Sequence, residues 1–255
     1  MRRAAALLIP AVAVAAWLLW PRATPWHHVL IPAGTTTLGS PASELGHDAG
    51  EEQRSFTVLE PLRMSATEVP QGLYRELMGA LPDCHGEPAE RGDDLPVVCV
   101  DRADAFAFCA ALSARDGLPP DRGWRLPSEQ EWEYAARAGG ADVFAGTSAP
   151  NQVCRYANLG DGLGCDDGYE GLAPVGSFAP NAWGLYDMTG NAMEWTDTVW
   201  DPPPGEVAPT PELRWVERGG SWVDGAPTAG VADRGWGPGG RRLNTLGFRV
   251  VRPAP

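Results

Sequence analysis

Apolar and polar positions along this chain alternate in short bursts broken by glycine and proline, and few bursts keep one period for long. Val29 to Ile31, Thr35 to Leu38 and Ser55 to Leu59 read as strands, bounded by Pro32-Ala33-Gly34 and by an acidic turn from Glu44 to Glu52. Pro70 to Met78 reads as a short helix with proline in its first turn, where the missing N–H does no harm, and Gly79 ends it. In Asp101 to Arg115, Phe106, Cys109, Ala110 and Ser113 recur at i, i+3, i+4 and i+7, which predicts a helix carrying a buried thiol. The best-specified helix runs from Ser128 to Ala138. Ser128 and Glu131 form an S-x-x-E capping box, Gly139-Gly140 follow, and Trp132, Ala135 and Ala136 supply the apolar stripe. Glu129, Glu131 and Glu133 are expected to interact favourably with the positive end of that helix rather than to serve as catalytic acids. After residue 140 no helical period persists; Trp215 to Val216 and Phe248 to Val251 read as strands among Gly- and Trp-rich loops. Early helices and late irregular aromatic loops predict an α+β domain with small antiparallel sheets and no parallel-sheet signal.

Residues 1–25 form a separate unit ahead of a single domain over 26–255. Arg2 and Arg3 precede an apolar run from Ala4 to Trp20, the pattern of a signal peptide or of an N-terminal membrane anchor. Either way the domain is expected to be exported, to the periplasm, the extracellular space or the outer face of the inner membrane. Asp201 to Pro211, with five prolines, reads as an exposed insertion.

The chain has 44% hydrophobic residues and 11 Trp, enough for a sizeable core despite 31 Gly and 25 Pro. All 20 basic residues are arginine, and 33 acids leave a net charge of −13. That balance argues against nucleic acid as a partner and against contact with anionic membranes other than through the N-terminal segment.

Export makes the five cysteines candidates for disulfides rather than metal thiolates, and none forms a C-x-x-C pair. With Cys109 on a helix face, Cys84 with Cys99 and Cys154 with Cys165 remain, although spacing alone does not fix connectivity. Each pair would close a short loop worth about 3 kcal/mol in the chain-entropy model. A reactive Cys109 is the sharper alternative.

Four blocks occur in order: Trp124-Arg125-Leu126-Pro127-Ser128-Glu129-Gln130-Glu131-Trp132-Glu133-Tyr134-Ala135-Ala136-Arg137, Asn181 to Trp195 with its Gly190-Asn191-Ala192-Met193-Glu194, Arg218-Gly219-Gly220-Ser221-Trp222, and Leu246-Gly247-Phe248-Arg249. With Ile31-Pro32-Ala33-Gly34 and Leu38-Gly39-Ser40 at the start, the chain resembles the formylglycine-generating enzyme family, or sulfatase-modifying factors, over about residues 29 to 252. The resemblance implies a loop-rich C-type-lectin-like fold with structural calcium, a cation that takes six to eight oxygens. Carried over by position, one calcium set falls on Asn158 and Asp167 side chains with Leu159 and Tyr169 carbonyls. The other falls on Asp187 and Glu194 carboxylates with Gly190 and Ala192 carbonyls. Met193 stands where the family commonly has an aromatic residue.

The oxidases of this family bind copper through two thiolates, three and eight positions after the serine of the Gly-Gly-Ser block. Here those positions are Asp224 and Ala229, and soft thiolates are what select Cu(I), so copper is not expected. Iron-dependent relatives use histidines, but His27, His28, His47 and His85 all precede the recognised blocks, so iron is not expected either. His47 reads as a solvated loop residue. Ser221 has no histidine nearby in sequence, no phosphate-binding glycine loop precedes a helix, and nothing fixes the separation of Asp224 and Asp233. The expectation is therefore a calcium-stabilised module without a catalytic residue. Ser221, Trp222, Asp224 and Arg234 would line its cleft, and the ligand would be a peptide, a glycan or a partner protein. The alternative is a divergent metal-dependent oxidoreductase acting on cysteine or other sulfur groups.

Overall fold

A computed structural model describes residues 26–44, 46–86, 88–160, 165–202 and 212–255. The expected signal or anchor segment, and most of the Asp201–Pro211 insertion, lie outside the described residues. Among the described residues no helix is long and apolar enough to cross a membrane.

Among the described residues nine short strands and three α-helices carry the fold. β1 (His28–Ile31), β4 (Leu62–Ser65) and β9 (Val251–Pro253) make one antiparallel sheet in the order β1-β4-β9, which places Ile31 opposite Leu62 and Met64 opposite Val251. β2 (Gly34–Leu38) and β3 (Arg54–Val58) form a hairpin across the acidic turn. The third sheet is ordered β7-β6-β5-β8, from β7 (Gly235–Pro238), β6 (Arg214–Arg218), β5 (Met193–Val199) and β8 (Leu246–Gly247). Its β5–β8 pair is parallel, against the expectation of antiparallel sheets alone, and sets Glu194 beside Gly247. The run Phe248 to Val251 is not one strand. Phe248, Arg249 and Val250 cross between β8 and β9, buried on all sides, and the apolar alternation there reflects burial rather than pairing.

The helices follow their signals. α1 (Gln71–Met78) starts after Pro70 and ends at Gly79 in the left-handed region, φ +86°. α2 (Arg102–Arg115) has a full capping box between Asp101 and Asp104, and α3 (Glu129–Arg137) has one between Ser128 and Glu131. On α2 the buried stripe is Ala105, Phe108, Cys109 and Leu112, and Ala110 faces solvent. Phe108 stacks on Tyr74 at 5.6 Å and meets Phe248 edge-on at 5.3 Å, joining α1 and α2 to the crossing segment. A second core packs Trp132, Ala135 and Ala136 of α3 against Ile31, Leu38, Met64 and Val251.

Two buried arginines tie these layers together. Arg249 donates to Glu194 Oε1 from Nη2 at 2.8 Å and to the carbonyls of Ser65, Ala66 and Tyr186. Arg218 donates to Glu133 Oε2 at 2.9 Å and to the carbonyls of Val231, Ala232 and Asp233. The carboxylates of α3 thus do more than face a helix dipole. Glu133 holds Arg137 and Arg218, Glu129 holds Arg234 at 2.5 Å, and Glu131 holds Arg125 at 2.6 Å while closing the capping box.

Cys84 is joined to Cys99 and Cys154 to Cys165, as expected. Cys109 is free and buried, and burial pushes its thiol up to about 12, which removes the reactive alternative.

Two predictions follow from this packing. Glu194→Gln removes the carboxylate paired with Arg249 in a dry site, so urea unfolding should show a loss of about 3–5 kcal/mol. The second concerns His28, whose ring packs tilted against Trp124 at 4.2 Å and whose pKa burial lowers to about 4, with Asp116 opposing and Arg252, Arg63 and His27 reinforcing the shift. The neutral ring's contribution is complete above its unfolded pKa of about 6.5 and disappears as pH falls toward 4. Thermal melts should therefore show a smaller acid-induced drop across this window in His28→Phe than in the wild type.

Candidate functional site

The Gly-Gly-Ser block leaves β6 through Gly219 and Gly220, both at positive φ, and turns into Ser221. Ser221 is fully buried, and its hydroxyl donates to Asp224 Oδ2 at 2.6 Å, an oxygen that also accepts the Ser221 N–H. The serine is thus a turn-closing group, held by a carboxylate that has no imidazole with it. The Asp224 carbonyl takes the Gly160 N–H at 2.9 Å. A Cβ on Gly160 would meet the Val223 carbonyl oxygen at 2.7 Å, so this close approach needs glycine.

Between Ser221 and Asp224, Trp222 projects as the side chain shared by two cavities. The larger, about 710 Å³, is walled by Leu159, Asp166, Tyr169, Glu170 and Val223. The smaller, about 320 Å³, is walled by Pro88, Glu90, Leu172 and Asn244. Behind the indole lies a cluster containing the Cys84–Cys99 pair, Val98, Leu172 and Ala192. Arg234 does not join this cleft. It pairs with Glu129, donates to the Gly50 carbonyl at 3.3 Å, and lines a third cavity of about 290 Å³ with Glu52 and Asp201.

The two positions where the resemblance implies thiolates are closed to that chemistry. Asp224 is bound to Ser221, and Ala229 is fully buried among Phe144, Val153, Ala157 and Leu159. Asp224 and Asp233 sit in different clusters, so they are not an acid pair: Asp233 lies with Asp48 and Glu51. Among the described residues no histidine belongs to a group of three or more converging His, Cys, Asp or Glu side chains. His47 is a correction to the solvated-loop expectation, since its Nδ1 is 2.6 Å from Ser40 Oγ and its side chain is only 22% exposed.

The expected calcium sets differ in how well they suit a cation. In the first, Asp167 spans the loop: Oδ2 accepts the Leu159 N–H at 2.9 Å and Oδ1 the Tyr169 N–H at 3.0 Å. Asn158 Nδ2 donates to Gly171 O and Asn191 Oδ1, so Oδ1 is the side-chain atom that would face a cation. A carboxylate, an amide oxygen and two carbonyls on an irregular loop suit calcium. The second set does not fit as drawn. Glu194 gives Oε1 to Arg249 and Oε2 to Arg249 and Trp132 Nε1, so a cation there would sit against a guanidinium. Asp187, at φ +56°, accepts the Gly176 N–H at 2.6 Å and faces Glu68, and burial pushes both acids above the ordinary carboxylate range. Gly190 and Ala192 are placed around the same turn. A Cβ on Gly190 would lie 2.0 Å from the Asn158 carbonyl oxygen, which brings the first set's loop against the second's.

Asn191, to which the sequence reading gave no role, joins these parts. Its carbonyl accepts the Trp222 N–H at 3.0 Å, its Oδ1 accepts from Asn158 and from the Ala173 N–H, and its Nδ2 donates to Glu68. It adopts φ +60°, a conformation asparagine tolerates better than most residues. An asparagine directly after glycine, within a block rich in turn residues, was the available signal.

Residues 20–254 match the sulfatase-modifying factor enzyme 1-like domain. Over 196 residues the chain is 34% identical to the inactive C-alpha-formylglycine-generating enzyme 2 of Mus musculus, a match covering 73% of this chain and 56% of that protein. The chain thus spans little more than half the length of that relative. The chaperone protein LppX of Paenibacillus barcinonensis is 29% identical over 231 residues, covering 72% of this chain and 78% of that one. The solved structure of PvdO from Pseudomonas aeruginosa superposes with a TM-score of 0.74 at 30% identity, covering 89% of this chain and 94% of that one. With its α+β, C-type-lectin-like fold, the chain belongs to the sulfatase-modifying factor family, that of the formylglycine-generating enzymes.

Proposed function

We propose that this protein is an exported, non-catalytic member of its family that binds a polypeptide segment in the cleft astride Trp222. The observation that carries the proposal is a pairing of features at one turn. The scaffold around Ser221 holds an open aromatic cleft, while the two positions that would carry thiolates hold a hydroxyl-bound Asp224 and a buried Ala229. Two disulfides and the apolar segment ahead of residue 26 support export to an oxidising compartment. The names of two relatives, an inactive enzyme and a chaperone, point the same way without specifying this chain's ligand.

The cleft's chemistry selects among ligands. Trp222 and Tyr169 offer broad apolar faces, and Asp166 and Glu170 set negative charge on the rim. A chain segment with apolar and basic side chains complements that lining. Calcium on Asn158, Leu159, Asp167 and Tyr169 would pin the loop that forms one wall, supplying rigidity rather than reactivity.

An array of short peptides, basic-aromatic against acidic-aromatic, tests this with the full chain. Basic-aromatic peptides should bind, and Trp222→Ala should weaken them at least about tenfold, or about 1.4 kcal/mol, with the melting temperature unchanged. Chelation of calcium and Asp167→Asn should each weaken the same peptides. Preference for the acidic peptides, an unaffected Trp222→Ala, or copper-dependent oxidation of a cysteine peptide would each sink the proposal.

A further inference from the structure

The acidic turn between β2 and β3 meets an acid from near the other end of the chain. Asp48, Glu51 and Asp233 each present an oxygen, and the three oxygens lie within 4.8 Å of one another. Two oxygens on opposite sides of one calcium ion, at bonds of about 2.3–2.6 Å, would be about 4.6–5.2 Å apart, so one ion could span this group with little movement.

Glu51 supplies an independent sign of a missing partner. It is only 4% exposed, and its Oε2 accepts from Ser40 Oγ at 2.7 Å. Its Oε1 is sealed from solvent and meets no donor. A bare carboxylate oxygen in that setting carries the full cost of desolvation unless a cation or a proton answers it.

The neighbouring arginines do not answer it. Among the described residues none of the three acids has an arginine ion pair; the contact within 4.0 Å is His47 to Glu51. Arg218 is committed to Glu133 and three carbonyls, Arg234 to Glu129 and the Gly50 carbonyl, and Arg137 to Glu133 and the Gly39 carbonyl. Glu129 and Glu133 offset two of those three positive charges. Asp48, Glu51 and Asp233 therefore bring more carboxylates than the arginines answer, and burial pushes the Glu51 and Asp233 carboxyls up, the mark of acids without a matching positive charge.

We propose that Asp48, Glu51 and Asp233 bind one divalent cation of the calcium type. The ion would clamp the β2–β3 turn to the loop before β7, over the N-terminal turn of α3. Asp48 is exposed, which gives the ion a path from solvent. The site is remote in its ligands from the Asn158–Tyr169 set and does not depend on the peptide-binding proposal.

Calorimetric titration of the chelator-treated full chain with Ca²⁺, and with Mn²⁺ read by electron paramagnetic resonance, provides the test. The variants are Asp48→Asn, Asp233→Asn and, as a control for the other loop, Asp167→Asn. Asp48→Asn and Asp233→Asn should each lose one ion, or bind it at least about tenfold more weakly, while Asp167→Asn keeps it. The rise in melting temperature on adding calcium should shrink in Asp48→Asn, a surface substitution that spares the core if Asp233→Asn fails to fold. Wild-type stoichiometry with wild-type affinity in Asp48→Asn would overturn the proposal, as would a wild-type chain whose every bound ion is removed by Asp167→Asn.

Discussion

The structure depends on buried guanidinium groups that stand in for secondary structure. A loop-rich core contains backbone carbonyls that no ladder satisfies, and each needs a donor. Arg249 and Arg218 each reach three such carbonyls and one carboxylate. Only arginine carries five donors in a fixed planar fork, whereas lysine offers a flexible point charge, and this chain has no lysine. The charge then has to be matched, and Glu194 and Glu133 match it. Replacing either pair with apolar groups would strand several carbonyls at once, so here the usual finding that buried ion pairs can be exchanged for hydrocarbon does not carry over.

Arg218 begins the Gly-Gly-Ser block and anchors it to α3, so Ser221 and Trp222 are presented at a fixed height above the core. The anchor is indifferent to what occupies Asp224 and Ala229. Asp224 and Ala229 are themselves integrated into the structure, one as a hydrogen-bond partner and one as packing.

What could be read from the chain divides along local and non-local lines. Ser128 and Glu131, Pro70 and Gly79 act within a turn, so α1 and α3 were legible to within a residue or two. β5 was not legible, because Glu194, Trp195 and Thr196 are all buried and no alternation marks a strand covered on both faces. Phe248 to Val250 misled for the complementary reason, since Arg249 points into the core and satisfies carbonyls from residues 65, 66 and 186. Trp222 both packs on a buried cluster and lines two cavities, a double role that its block does not disclose. The separation of Arg234 from the Trp222 cleft was not legible either, because its partner carbonyl at Gly50 is 184 residues away. Glu44 to Glu52 looked like a solvated turn, and no local signal could have shown that Glu51 is sealed beneath it.

Cys109 has a bearing on how the cleft survives oxidative folding. An odd thiol beside two disulfides is ordinarily a catalyst of scrambling, because a thiolate attacks whichever sulfur it can reach. Burial pushes the Cys109 thiol up to about 12, which disfavours the thiolate at neutral pH, and α2 keeps it out of solvent. Folding therefore quenches its own shuffling agent. One bridge packs in the cluster behind the Trp222 indole, and the other brackets Asn158 and Leu159 in sequence. With α2 docked, the free thiol is sealed away from exchange, so the pairing of both bridges is protected in the folded chain.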